Sequence, residues 1–281
     1  MDTSVLPERI EQIAAEAGAR NIGVAFYDYE TDRSFAIHGD TPFHAASTIK
    51  VPILLTVFDA IDKKRYTLET KVHIRNRFFS LVDGEIFRVS AGRDANSKVH
   101  AARGKKLTIG ELAYHMIVTS SNLATNLLLG VVGLDQAKET LQRLGLTGIE
   151  LYRGVEDERA HEQGIDNRVT ANGLVEAFRV IEEGRGISKA SSEKMLEILH
   201  QQEFRSGIPA GLPSNAKVAH KTGEISTVAH DTGLVFPENR KPYALVILTE
   251  WEPDKGERQA TLAKISKLIY QEVAGSEVAH A

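Results

Sequence analysis

Cysteine is absent from the 281-residue chain. That excludes disulfides, thiolate catalysis and cysteine-bound zinc or iron–sulfur clusters. An excess of positive charge is also missing. Lys and Arg total 34 against 38 Asp and Glu, a net charge of −4, so the broad positive field of a nucleic-acid binder is lacking. Long apolar runs are missing too. Val51–Phe58 and Leu127–Val132 are the longest, far short of the ~18 residues a membrane-spanning helix needs. Met1–Arg20 carries Glu8, Glu11 and Glu16 and no apolar centre, unlike a signal peptide. The expectation is a cytoplasmic protein as written, or a periplasmic or secreted one if a leader has been removed. No phosphate-cradling or dinucleotide glycine motif occurs, and no histidine pair has metal-ligand spacing. Neither a metal nor another cofactor is expected. The expected partner is a small molecule, with no nucleic acid or membrane, and the chain is expected to be a monomer.

What is present is ordinary for a globular protein: 42% apolar and 26% charged residues. Leu6, Ile10, Ile13, Ala14 and Ala17 recur at helical spacing, and Gly18 closes that helix. Ile22, Val24 and Phe26 alternate as a strand, and 34–37 returns as a second. Residues 47–61 are apolar almost all round and read as a buried helix. Helical periodicity follows over 107–118, 121–131, 134–144, 170–183 and 188–200. Between Ser80 and Lys106 the pattern fails, leaving a polar, Arg-rich loop. Three β-branched runs, 217–223, 229–236 and 243–250, are joined by short turns and predict an antiparallel meander. Trp251 closes the last of them. A final helix carries Leu262, Ile265, Leu268, Ile269 and Val273 on one face.

The predicted fold is therefore α/β (α+β). One five-stranded antiparallel sheet, built from both ends of the chain, is flanked by the terminal helices and interrupted by an all-α lobe. The boundaries are 1–63 with 205–281 for the sheet domain and 64–204 for the inserted lobe. A cleft between the lobes is the natural place for a small-molecule site.

Three short motifs could carry chemistry. Ser47-Thr48-Ile49-Lys50 is an S-x-x-K sequence, as are 191–194 and 214–217, but only Ser47 opens a long buried helix. There the dipole favours charge developing on a nucleophile, and Lys50 shares its face. A lysine on an apolar helix loses solvation and becomes a better base. Pro52 falls late for a first turn and should leave the Thr48 carbonyl without an amide partner. Ser120-Ser121-Asn122 opens the helix running to Val131, where a serine caps or relays a proton. Lys221-Thr222-Gly223 sits on a strand. Its lysine and threonine suit a carboxylate, and its glycine admits a close backbone approach.

In this order the three motifs resemble the active-site serine penicillin-recognising hydrolases, that is, class A β-lactamases and penicillin-binding peptidases. The segment Ser120–Leu129, with Asn126, is similar to the class A helix. His220-Lys221-Thr222-Gly223 followed by His230-Asp231 resembles a class A-like branch of serine hydrolases. The resemblance covers nearly the whole chain. It implies that Ser47 is acylated by a β-lactam or an acyl ester or amide, with Lys50 as its base or relay. Ser120 would pass a proton to the leaving nitrogen. Lys221, Thr222 and Gly223 would receive the substrate carboxylate, and Asn122 its side-chain amide. The backbone N–H groups of Ser47 and Glu224 would form the oxyanion hole.

Two departures from that pattern stand out. Ser121 occupies a position where class A enzymes usually have Asp. In Tyr152–Arg159, Glu156 follows Arg153 by three residues where the pattern has two. Two alternatives follow: Glu156 is the deacylation base and the protein a β-lactamase, or the role is vacant. A vacant role implies a penicillin-binding peptidase, an esterase or a non-turnover sensor. His220 and His230 lie on adjacent strands and could meet across the hairpin.

Overall fold

The structure, a computed structural model, describes residues 5–253 and 255–278. Five strands form its main sheet: β1 (Asn21–Asp28), β2 (Arg33–Ile37), β3 (Lys217–Ile225), β4 (Val228–Phe236) and β5 (Tyr243–Glu250). The order is β3-β4-β5-β1-β2 and every neighbouring pair is antiparallel. The N-terminal hairpin thus adds to the edge of the C-terminal meander.

Alternation along the strands divides the core. Tyr243, Leu245 and Ile247 of β5, with Val24 and Phe26 of β1, face the terminal helices α1 (Leu6–Glu16) and the long one spanning Arg258–Val278. Ala244, Val246 and Leu248 face the other way, into the helical lobe. At the centre of that lobe lies α2 (Lys50–Asp62), buried continuously from Lys50 to Ala60. Around it pack α3 (Ile109–Val118), α4 (Asn122–Val132), α5 (Leu134–Arg143), α6 (Ala171–Glu183) and α7 (Lys189–His200); the C-terminal helix is α8. Among the described residues, no helix is long and apolar enough to cross a membrane.

Apart from the start of α2, the limits of these helices fall within two residues of those the periodicity predicts. The lobe also carries small antiparallel ladders that no periodicity announces. They pair 168–169 with both 43–44 and 149–150, 71–73 with 106–108, and 78–79 with 86–87. Strands of two or three residues are too short to show an alternation. Two of these ladders and a four-residue helix at Lys98–Ala101 reach into the stretch predicted as loop, most of which is turn and irregular chain.

Candidate active site

The helix bearing the first motif begins differently from the prediction. Ala46–Ile49 is a 3₁₀ turn, and α2 starts only at Lys50. The Lys50 N–H reaches the carbonyls of Ser47 and Thr48, so Thr48 is not left unpartnered. Pro52 falls in the first turn of α2, where a missing N–H costs nothing. The tight turn sets Ser47 at the lip of the cleft, half-buried, while Lys50 beneath it is fully buried.

Lys50 Nζ lies 2.9 Å from Ser47 Oγ, 3.0 Å from Ser120 Oγ, 2.7 Å from the Ser120 carbonyl and 2.7 Å from Asn122 Oδ1. Ser120 is not the helix cap. That role belongs to Ser121, whose hydroxyl accepts the Ala124 N–H. Ser120 precedes it with φ +56°, and Ala46 and Glu156 also have positive φ. Three of the seven such non-glycine residues among those described therefore lie at this cleft. Backbone strain of this kind persists where the surroundings over-determine it.

The third motif comes from β3. Lys221 Nζ donates to Ser120 Oγ at 3.0 Å and to the Thr222 carbonyl at 2.8 Å. Gly223 is required by proximity: a Cβ there would lie 3.1 Å from the Thr48 nitrogen and 3.2 Å from that of Ser47. A side chain there would have to push that turn away, so the bare backbone lets the strand run this close to Ser47. Ser47, Ser120, Asn122, Thr222 and Glu224 line one lobe of the cleft, about 250 Å³. Ser47, Asn122, Glu156 and Glu224 share the other, about 440 Å³.

Glu156 is carried by a loop that closes on itself. Arg153 pairs with Asp166 at 2.6 Å, and the Asn167 side chain bonds both backbone groups of Arg153. Asn126 of α4 clamps Val155 through two bonds of 2.8 Å. The Glu156 carboxylate accepts Asn122 Nδ2 at 2.8 Å and the Ser90 N–H at 2.9 Å. Despite its altered spacing it faces the same cleft as Ser47. The anchors Ser90 and Asp166 lie far from Glu156 in sequence or outside any motif, so spacing alone could not supply them.

Electrostatics decide what this cluster can do. Burial pushes the Lys50 ammonium down to about 7, against the opposing pull of Asp94 and Glu156. Burial, then the neighbouring Lys50 charge, pushes Lys221 well below its ordinary value, with Asp231 opposing. Bridged by one hydroxyl, the two amines are at most about 6 Å apart. Two positive charges at that distance repel by roughly 3 kcal/mol at an effective dielectric of about 20. That repulsion adds to the burial that already lowers Lys221, while burial is what brings Lys50 to about 7. A carboxylate entering beside Lys221 would supply its counter-charge. A serine hydrogen-bonded to a neutral amine is a nucleophile with its base in place.

Histidines 220 and 230 do not meet. The register sets His220 opposite Gly233 and His230 opposite Gly223. His220 Nδ1 instead pairs with the buried Asp231 carboxylate at 2.8 Å. His230, held near 4 mainly by burial, is neutral. Its Nε2–H donates to the His44 carbonyl and its Nδ1 accepts the Thr249 N–H. It thereby anchors the chain just before Ser47. The structure also gathers His44, His161 and Asp166 with ligand atoms within 4.8 Å of one another. Asp166 Oδ1 already takes Arg153 at 2.6 Å and His161 at 2.9 Å. A guanidinium at that distance repels a dication, and Asp166 is already paired with Arg153 at the loop's neck.

Residues 5–273 match the model of the Beta-lactamase enzyme family. The chain belongs to that family. Within it, the chain is 24% identical to the β-lactamase VEB-1 of Pseudomonas aeruginosa, covering 95% of this chain and 90% of that protein. A mutant of PBP-A, solved as an acyl-enzyme complex with penicillin G, is 26% identical. It superposes with a TM-score of 0.82, covering 96% of both chains. An ancestral class A β-lactamase shares the fold, with a TM-score of 0.82 at 23% identity over 95% of this chain and 99% of that one. This β-lactamase-family chain is thus a class A-like serine hydrolase by kinship, with the five-stranded antiparallel sheet that the sequence predicts.

Proposed function

We propose that the protein hydrolyses the β-lactam amide through a Ser47 acyl-enzyme. Lys50 takes the Ser47 proton as Oγ attacks the carbonyl carbon. The C–N bond then breaks, and Ser120 hands a proton to the leaving nitrogen. The backbone N–H groups of Ser47 and Glu224 hold the oxyanion, a device worth about 3–4 kcal/mol in related sites. Lys221 and Thr222 take the substrate carboxylate, Gly223 admits it, and Asn122 takes the side-chain amide. Glu156 then removes a proton from water, which attacks the ester, and Ser47 Oγ recovers a proton as it leaves.

One observation carries this reading. Ser47 Oγ, Lys50 Nζ, Ser120 Oγ and Lys221 Nζ form a single hydrogen-bonded line with links of 2.9, 3.0 and 3.0 Å. Such a line can move a proton from nucleophile to leaving group. A second reading rests on Glu156. Both its oxygens already accept protein hydrogen bonds, so a water must share them. Slow deacylation would make the protein a penicillin-binding peptidase, an esterase or a sensor.

Intact-mass measurement within seconds of adding penicillin G, beside steady-state cleavage of a chromogenic cephalosporin, tests both readings. A transient adduct with sustained turnover is the expected result. A stoichiometric adduct that persists selects the second reading, and neither adduct nor cleavage rejects both. The pH dependence follows from Lys50. The base is the deprotonated amine, so acylation should plateau above about 7. Below that it should fall about tenfold per pH unit. Single-turnover acylation rates between pH 5 and 9 check this.

A further inference from the structure

We infer that Asp94 is a positioning residue of this site, a loop carboxylate that fixes the Ser120–Asn122 segment and supplies a negative charge that the segment lacks. The inference rests on the acyl-transfer reading for its purpose but on geometry for its content. The Asp94 side chain is 0% exposed. Its Oδ1 accepts the Asn122 N–H at 2.7 Å. Its Oδ2 accepts the Leu123 N–H at 3.2 Å, the Ser121 hydroxyl at 3.0 Å and His100 Nε2 at 3.0 Å. No acidic residue occupies the first turn of α4, although a helix N-terminus favours one.

Asp94 therefore does from a distant loop what a helix usually does for itself. With the Ser121 cap on Ala124, it satisfies the first three free N–H groups of α4. Those groups begin two residues after Ser120, whose left-handed backbone is of the strained kind that its surroundings must hold. Arg93 and Ala95, on either side of Asp94, line the substrate cleft, so one loop both walls the cleft and grips the motif. His100 grips the same carboxylate from the short helix beyond. The charged groups acting on Lys50 are Asp94 and Glu156, which favour its protonation, and Lys221, the neighbouring amine that shares Ser120 Oγ.

The test is a titration that does not need turnover. With 13Cε-labelled lysine, the Lys50 resonance is assigned by its loss in Lys50→Arg and followed against pH by NMR. In Asp94→Asn the Lys50 midpoint should move to lower pH, because a negative charge has gone. Acylation by penicillin G should slow roughly 10–100-fold, as expected when reacting groups are displaced by about an ångström. Asp94→Glu, which keeps the charge, should keep the midpoint. A midpoint unmoved in Asp94→Asn, whatever the rate, overturns the inference. Should that variant not fold, Asp94→Asn/Ser121→Asp returns the charge to the helix itself. A wild-type midpoint in the double variant supports the inference and a displaced one overturns it. Absence of a β-lactam adduct on the wild type would sink the acyl-transfer reading and leave this titration result standing by itself.

Discussion

Ser47→Ala is expected to abolish the β-lactam adduct and to lower chromogenic cephalosporin cleavage to the background of the cleft. In serine hydrolases, loss of the nucleophile costs on the order of 10⁶ in kcat. The size follows from the arrangement. Ser47 Oγ bonds Lys50, and Ser47 lines both lobes of the cleft beside Glu224, whereas Ser120 lines the smaller one. Ser120 Oγ is the competitor, since it touches both lysines at 3.0 Å. Its hydroxyl is shared between two amines and serves better to pass a proton than to attack. Ser47 is half-buried, so a methyl group in place of CH₂OH leaves no large cavity. The melting temperature should hardly change. Retained labelling in Ser47→Ala, located by peptide mapping, would move the nucleophile to Ser120.

The second large effect belongs to Glu156. Glu156→Gln should acylate at nearly the wild-type rate and then stall. A burst of about one equivalent should be followed by turnover reduced roughly 10²–10⁴-fold, the usual contribution of a general base. The glutamine oxygen can still accept Asn122 Nδ2, so the cleft keeps its shape there. The Ser90 N–H loses its charged acceptor, which loosens the loop without touching Ser47. Mass spectrometry of the stalled species would show the ester on Ser47. Turnover equal to that of the wild type would remove Glu156 from the mechanism.

How legible this was in the sequence depends on the range of the determinant. The helices, the five strands and their antiparallel arrangement follow from local periodicity, and Tyr243–Glu250 is read to the residue. The three motifs are local as well, and the fold brings Ser47, Lys50, Ser120 and Lys221 together. What sequence could not supply is long-range. Asp94 reaches α4 from a segment without periodicity. Asn126 holds Val155, next to Glu156, from 29 residues away. Asp231 claims His220 through a strand register that composition does not reveal. Pro52 shows the same limit on a smaller scale, because a 3₁₀ turn before α2 removes the strain that an unbroken helix from Ser47 would carry.

The strand order has a consequence for how the protein is made. β1 and β2 emerge first from the ribosome, yet β1 completes its pairing only with β5, synthesised more than 200 residues later. Until then the hairpin offers an open edge, a hazard for aggregation. Folding dominated by such distant pairings is slow. Lys221 also arrives with the last three strands, so a nascent chain already bearing Ser47, Lys50 and Ser120 has half a proton path. On the proposed mechanism, the site therefore stays incomplete until the C-terminal strands have been made.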